Sequence, residues 1–166
     1  HRDLHSFPTR RSSDLLFLSV GRMKSEALRE MLTDYLKRIS RYVPVSHETA
    51  RENRGKDPEV TRESEGERIL KMLTARDTLV LLDERGKMMT SVNLARWLSN
   101  KMESSGGRLC LLVGGAYGVS RKVRERADDT LSLSPMTFPH ELCLVLLAEQ
   151  VYRAVSILNG SSYHHD

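Results

Sequence analysis

Leu109-Cys110-Leu111-Leu112-Val113-Gly114-Gly115-Ala116-Tyr117-Gly118 decides how this chain is read. Five apolar residues are too few for a buried helix and the right length for a strand covered on both faces. The run stops abruptly in glycines. A second stretch, Leu131-Ser132-Leu133-Ser134-Pro135-Met136-Thr137-Phe138-Pro139-His140, ends the same way, in small and turn-forming residues. In an open α/β sheet, ligands bind in the crevice outside the carboxyl ends of the strands. A glycine there lets backbone N–H and C=O groups approach the ligand, because no Cβ intervenes. Two such strand ends predict one cradle for a small ligand.

Outward from these stretches, strands and helices alternate. Leu15–Val20 is an apolar strand closed by Gly21. Residues 25–39 place Leu28, Met31, Leu32, Tyr35, Leu36 and Ile39 on one helical face. Residues 43–48 alternate like a strand, 51–58 read as a charged, mobile loop, and 59–73 as a charged helix. Residues 78–82 form a continuous apolar strand and 83–90 a turn. Ser91 then caps a helix carrying Leu94, Trp97, Leu98 and Met102. A short charged helix over 120–127, a strand over 130–134 and a last helix over 140–158 complete the pattern, with Asn159-Gly160 as the stop. The alternation predicts an α/β fold with a largely parallel sheet flanked by helices.

The 166 residues predict a single domain. The assignment is residues 15–166. Residues 1–14 are set aside as a non-native leader, because they have neither strand nor helix period and no apolar signal core. The 26 Lys and Arg exceed the 22 Asp and Glu, for a net charge of +4. A mildly basic surface suits a polyanion such as nucleic acid. Aromatic residues make up 5% of the chain, too few for a base-stacking platform. No apolar run approaches the roughly 18 residues that would cross a bilayer, and mean hydropathy is −0.42, so no membrane role is expected. Cys110 and Cys143 lie inside apolar runs without a C-x-x-C partner, which reads as buried thiols in a reducing, cytoplasmic compartment.

The glycine stretch lacks the Gly-Lys-Ser/Thr of a phosphate-binding loop and the spacing of a dinucleotide fingerprint. The chain has no nucleophile elbow and no H-E-x-x-H pair. No third ligand accompanies His164-His165, so no metal site is expected. On the last helix Glu149 and Arg153 stand at i,i+4 and share a face with Tyr152. Spacing alone leaves two readings open, a surface ion pair or the charged wall of an active site.

Taken in order, one set of segments resembles a known family. It runs from the strand ending Val20-Gly21 through Leu81-Leu82-Asp83-Glu84-Arg85-Gly86-Lys87 with Ser91, then Val113-Gly114-Gly115-Ala116-Tyr117-Gly118, Met136-Thr137-Phe138-Pro139-His140, Glu149-Gln150-Val151-Tyr152-Arg153-Ala154 and Tyr163-His164. This resembles the RlmH family of SPOUT-class methyltransferases over essentially residues 15–166. The resemblance implies an α/β domain whose C-terminal part is tied in a trefoil knot, against the general rule that chains are unknotted. It implies a homodimer that binds S-adenosyl-L-methionine and methylates a pseudouridine ring nitrogen of 23S ribosomal RNA on the assembled ribosome. By motif, cofactor binding falls on Leu82, Gly114, Leu133, Ser134, Pro135, Met136, Thr137 and Phe138. Arg153, Glu149, Tyr163 and His164 form the matching catalytic set on the RNA side.

Two positions depart from the family pattern. Leu144 stands where an Arg is usual, and the tail ends Tyr163-His164-His165-Asp166, without the usual Arg or Lys after the His. Two other functions stay open: a SPOUT enzyme acting on tRNA, and a basic ribosome-binding module without catalysis. Cofactor binding separates the last from the rest.

Overall fold

A computed structural model describes residues 14–164. In chain order the elements are β1 Leu15–Val20, α1 Glu26–Ile39, β2 Val45–Ala50, α2 Pro58–Lys71, β3 Thr78–Met88, α3 Ser91–Ser104, β4 Leu109–Leu112, α4 Arg121–Arg126, β5 Asp129–Ser132 and α5 His140–Leu158. The strands form one sheet in the order β2-β1-β4-β3-β5, and every pairing is parallel.

The apolar runs are continuous because the central strands are covered on both faces. Along β1, Leu15 and Phe17 join one core while Leu16, Leu18 and Val20 join the other. β4 divides in the same way, Leu109 and Leu111 against Cys110 and Leu112. This is the two-residue period of a strand, with apolar side chains on both faces. The first core is closed by α1, α3 and α5 through residues such as Leu32, Leu98 and Val151. The second is closed by Ile69 of α2 and Val123 of α4. The result is three layers with all five carboxyl strand ends along one edge.

Several boundaries differ from expectation. Asp57 caps α2, its Oδ1 accepting from the N–H groups of Glu59 and Val60 at 2.9 and 3.2 Å, so Pro58 opens the helix instead of ending a loop. Thr90, not Ser91, caps α3, because its Oγ1 is the acceptor for the N–H of Asn93 at 3.1 Å. The segment expected as a turn over 83–90 is largely strand. β3 pairs with β5 at Leu82↔Leu131 and again at Lys87↔Leu131, with the register shifting between them. Residues 83–86 therefore stand out as a bulge over β5. Of the expected leader, residues 1–13 lie outside the described residues, and the carbonyl of Asp14 accepts the N–H of Leu109 at 2.9 Å.

Candidate functional site

The carboxyl ends of β3, β4 and β5 enclose a cleft of about 470 Å³. That is within the range of small-molecule sites. Leu82 closes one side, Gly114 and Gly115 form the floor, and Leu133, Ser134, Met136, Thr137 and Phe138 form the facing wall. These include every residue expected to bind cofactor except Pro135, which is exposed and stands outside the lining. The two strand-end cradles read from sequence are one cavity.

The glycine turn is shaped by its hydrogen bonding. Gly118 N–H donates to the carbonyl of Gly115 at 3.0 Å, and Gly118 adopts φ +80. Only glycine occupies that region without strain. At Gly114 a Cβ would come within 2.9 Å of Val119 Cγ1, so the floor lies against the next loop with no room for a side chain. The opposite wall is braced by polar contacts. Ser132 Oγ donates in the direction of the Glu84 carbonyl at 3.1 Å and of the Ser134 carbonyl at 2.9 Å. The N–H of Met136 donates to Ser134 Oγ at 3.0 Å. Thr137 Oγ1 donates to Glu84 Oε2 at 2.6 Å. Met136 is 70% exposed at the rim, apolar surface that a bound ring would cover.

Asp83, Glu84, Arg124, His140 and Cys143 also line the cleft, and the sequence reading did not assign them to it. A signal existed for the first two, since Asp83-Glu84 follows directly on an apolar strand. Arg124 reaches in from α4 to Asp83 at 2.6 Å. Burial alone would raise the Asp83 carboxyl. Hydrogen bonds from the Arg85 N–H and from the Arg124 and Arg85 guanidiniums outweigh it and hold the group at about 2. Burial pushes the Cys143 thiol up, so it is no ready nucleophile. The chemistry offered is binding and orientation: apolar walls, strand-end backbone groups and fixed carboxylates.

Arg153, Glu149, Tyr163 and His164 do come together, on the C-terminal half of α5 and the turn after it. Arg153 binds Glu149 Oε1 through Nη2 at 2.5 Å and Nε at 3.1 Å. Its Nη1 lies 3.1 Å from His164 Nδ1. Tyr163 OH donates to the same Glu149 oxygen at 3.2 Å, and the Arg153 guanidinium lies over the Tyr163 ring at 4.9 Å. Gly160, with φ +69, ends α5 and turns the tail back over it. Burial, the Glu149 charge and hydrogen bonding with Tyr35 and Glu149 push the Tyr163 hydroxyl up to about 12. Tyr163 is thus a hydrogen-bond donor at neutral pH. The ion pair expected from spacing is the centre of a four-residue network.

The cluster does not share the cleft. Cys143 lines the cleft and Arg153 lies ten residues further along α5. At 1.5 Å rise per residue the separation is about 15 Å. Leu144, where the family pattern carries a charge, is in the core at 1% exposure. Among the described residues no group of three or more His, Cys, Asp or Glu is placed to hold a metal ion, and no helix is long and apolar enough to cross a membrane.

The fold is that of an α/β domain with an open cleft at the carboxyl edge of a parallel sheet. The family described as "Predicted SPOUT methyltransferase" matches residues 14–164. The chain belongs to this family of methyltransferases. It is 44% identical over 151 residues to a protein of Geotalea daltonii named ribosomal RNA large subunit methyltransferase H, covering 91% of this chain and 99% of that one. A protein of the same name from Geobacter metallireducens is 43% identical over 91% of this chain and 98% of its own length. Another from Bacteroides fragilis is 40% identical over 89% and 96%. The resemblance drawn from the ordered motifs is borne out.

Proposed function

We propose that the protein methylates large-subunit ribosomal RNA with S-adenosyl-L-methionine bound in the strand-end cleft, and that its target is a pseudouridine ring nitrogen on the assembled ribosome. One observation carries the reading. The cofactor residues assigned by motif converge on one cleft, in a chain of this family whose relatives carry that name. The cleft fits such a donor. Leu133, Met136 and Phe138 flank a flat ring, the glycine floor admits backbone contacts, and Glu84 presents a carboxylate beside the Asp83–Arg124 ion pair.

The bound donor would supply a methyl group on a sulfonium, an electrophile strong enough to need no covalent nucleophile. The chain's own residues then have two tasks. The cleft walls hold the donor in line with the attacking nitrogen. Arg153, held by Glu149 and backed by Tyr163 and His164, stabilises the negative charge on the ring as its proton passes to solvent water. Because the cluster stands about 15 Å from the cleft along α5, we propose that the site is completed in a homodimer, one copy supplying the cleft and the other the Arg153 cluster. The same proposal includes one domain over residues 15–166, a cytoplasmic location and a knotted C-terminal path.

Incubation with ribosomes and methyl-labelled S-adenosyl-L-methionine tests the substrate. Label should appear in large-subunit RNA at one pseudouridine. Label confined to tRNA, or none at all together with failure to bind the donor, overturns the proposal.

A further inference from the structure

A second cleft, of about 680 Å³, opens beyond the carboxyl ends of β1 and β2. It is lined by Arg22, Arg51, Arg54 and Arg68, with Glu52 as the only acid. None of the four arginines makes an ion pair among the described residues, whereas Arg85, Arg108, Arg121, Arg124, Arg126 and Arg153 all do. Arg22, Arg51 and Arg54 are exposed and Arg68 is half-buried. Four positive charges gathered around a single carboxylate raise one another's energy, a cost relieved by an anion.

The loop that carries Arg51 and Arg54 is pinned. Arg68 Nη1 donates to the Arg51 carbonyl at 2.8 Å. The Asn53 N–H donates to Glu65 Oε2 at 3.0 Å, and Asn53 Nδ2 to Thr61 Oγ1 at 3.3 Å. The segment expected as a mobile loop is tied to α2 at both of these points. The cationic side chains therefore project from a backbone already in place.

Position supplies the link to the active site. β1 lies next to β4, so the arginine cleft and the donor cleft share one sheet edge. Strand spacing sets their centres about 12 Å apart. Gly21 and Arg22 also face His140 across a small gap at the start of α5, and His140 lines the donor cleft. One surface leads from one cleft to the other.

We propose that the Arg22, Arg51, Arg54 and Arg68 cleft binds the phosphate backbone of the RNA substrate beside the nucleotide presented to the donor cleft. The proposal rests on the RNA-methyltransferase reading above. Exposed guanidiniums grip a free phosphate weakly in salt. Against a polyanion their contributions add through counterion release.

The test is the variant Arg22→Gln/Arg51→Gln/Arg54→Gln in the full chain, with Arg68 kept because it anchors the loop. A control, Arg96→Gln/Arg121→Gln/Lys122→Gln, loses the same charge from exposed sites on α3 and α4. The probe is a fluorescein-labelled single-stranded RNA, followed by anisotropy across a KCl series. Wild type should bind it. The cleft variant should lose about tenfold in affinity or more, and its log–log salt slope should flatten by about two, at about 0.7 per phosphate contact for single strands. The control should change much less, and both should melt as wild type does. An equal loss in the control, an unchanged slope in the cleft variant, or no RNA binding by wild type overturns the proposal. Inorganic phosphate should displace the RNA no better than KCl of equal ionic strength; preferential displacement shows a site for the free ion and overturns it too. With ribosomes as substrate, the cleft variant should raise KM and leave kcat. If wild type labels no ribosomal RNA, the substrate reading fails, and the anisotropy result still decides the cleft.

Discussion

Gly86→Ala adds one methyl group where the 83–86 bulge crosses β5. The new Cβ would stand 2.8 Å from the Leu131 carbonyl carbon, 2.8 Å from Thr130 Cγ2 and 2.9 Å from Leu131 N. Carbon atoms in good contact are about 3.5–4.0 Å apart, so bulge and strand must separate by roughly an ångström. Two of the three neighbours are backbone atoms of a strand paired to β3 before and after the bulge, so no rotamer change relieves the contact. Overpacking of this kind costs about 1–3 kcal/mol. In a domain of this size each kcal/mol moves Tm by about 2–4 °C. The expected fall is between about 2 and 12 °C. The bulge carries Asp83 and Glu84 into the donor cleft, and its displacement breaks the 2.6 Å bond from Thr137 to Glu84. Affinity for S-adenosyl-L-methionine should then drop by about tenfold, equivalent to about 1.4 kcal/mol. Scanning fluorimetry and calorimetry read the two effects. Gly106→Ala is the control, since its Cβ would meet nothing closer than 3.9 Å. A Gly86→Ala protein that melts and binds as wild type does would refute the close passage of the bulge over β5.

Two further outcomes follow from the site and the sheet. Arg153→Ala should cut methylation of ribosomes by about a hundredfold while calorimetry shows little change in donor affinity, because Arg153 lies outside the donor cleft; equal loss of both would refute the division of roles. Asp77→Asn should destabilise the protein at pH 7 by about 2 kcal/mol. Burial tends to raise the Asp77 carboxyl, yet the hydrogen bonds from the Arg108 guanidinium, the Thr74 N–H and the Arg108 N–H hold it at about 2. A depressed carboxyl contributes stability above its unfolded value near 4 and loses it as pH falls toward 2, so wild-type and variant melting curves should converge over that window; a constant gap would show that charge is not the cause.

The layers were legible because apolar periodicity is a local property. Leu15–Val20 and Leu109–Leu112 read as strands covered on both faces, and each divides its side chains between two cores. The strand-end cavity was legible for a related reason, since Gly114 and the Leu133–Phe138 stretch mark strand ends whatever the strand order. What escaped was pairing. The sequence of residues 83–90 has turn composition, and only the partner strand shows that Lys87 and Met88 return to the ladder opposite Leu131 and Ser132. Cys143 read as a buried thiol, and it lines the cleft because α5 starts at the cleft's rim. Residues 51–58 read as a mobile loop because the bonds from Asn53 and Arg68 that hold the segment reach across to α2 and back.

The parallel sheet explains why function gathers at one edge. Every strand points the same way, so the glycine turn after β4, the acidic bulge within β3, the wall after β5 and the arginine loop after β2 all emerge together. Under the proposed function, donor and RNA backbone then lie side by side on loops fixed by a rigid sheet. The last helix, α5, runs away from this edge. It starts at the donor cleft with His140 and Cys143 and carries Glu149 and Arg153 away along its length. A rigid helix packed in the core through Val145, Ala148 and Val151 cannot fold back to bring them to the cleft. Under the proposed function the Arg153 cluster must therefore serve the cleft of a second copy. The consequence is measurable: a heterodimer of one Gly114→Val subunit, blocked in the cleft, and one Arg153→Ala subunit should recover about half the wild-type dimer's activity, from its single intact composite site. Mixed dimers as inactive as either parent would place cleft and cluster in the same chain and contradict this reading of α5.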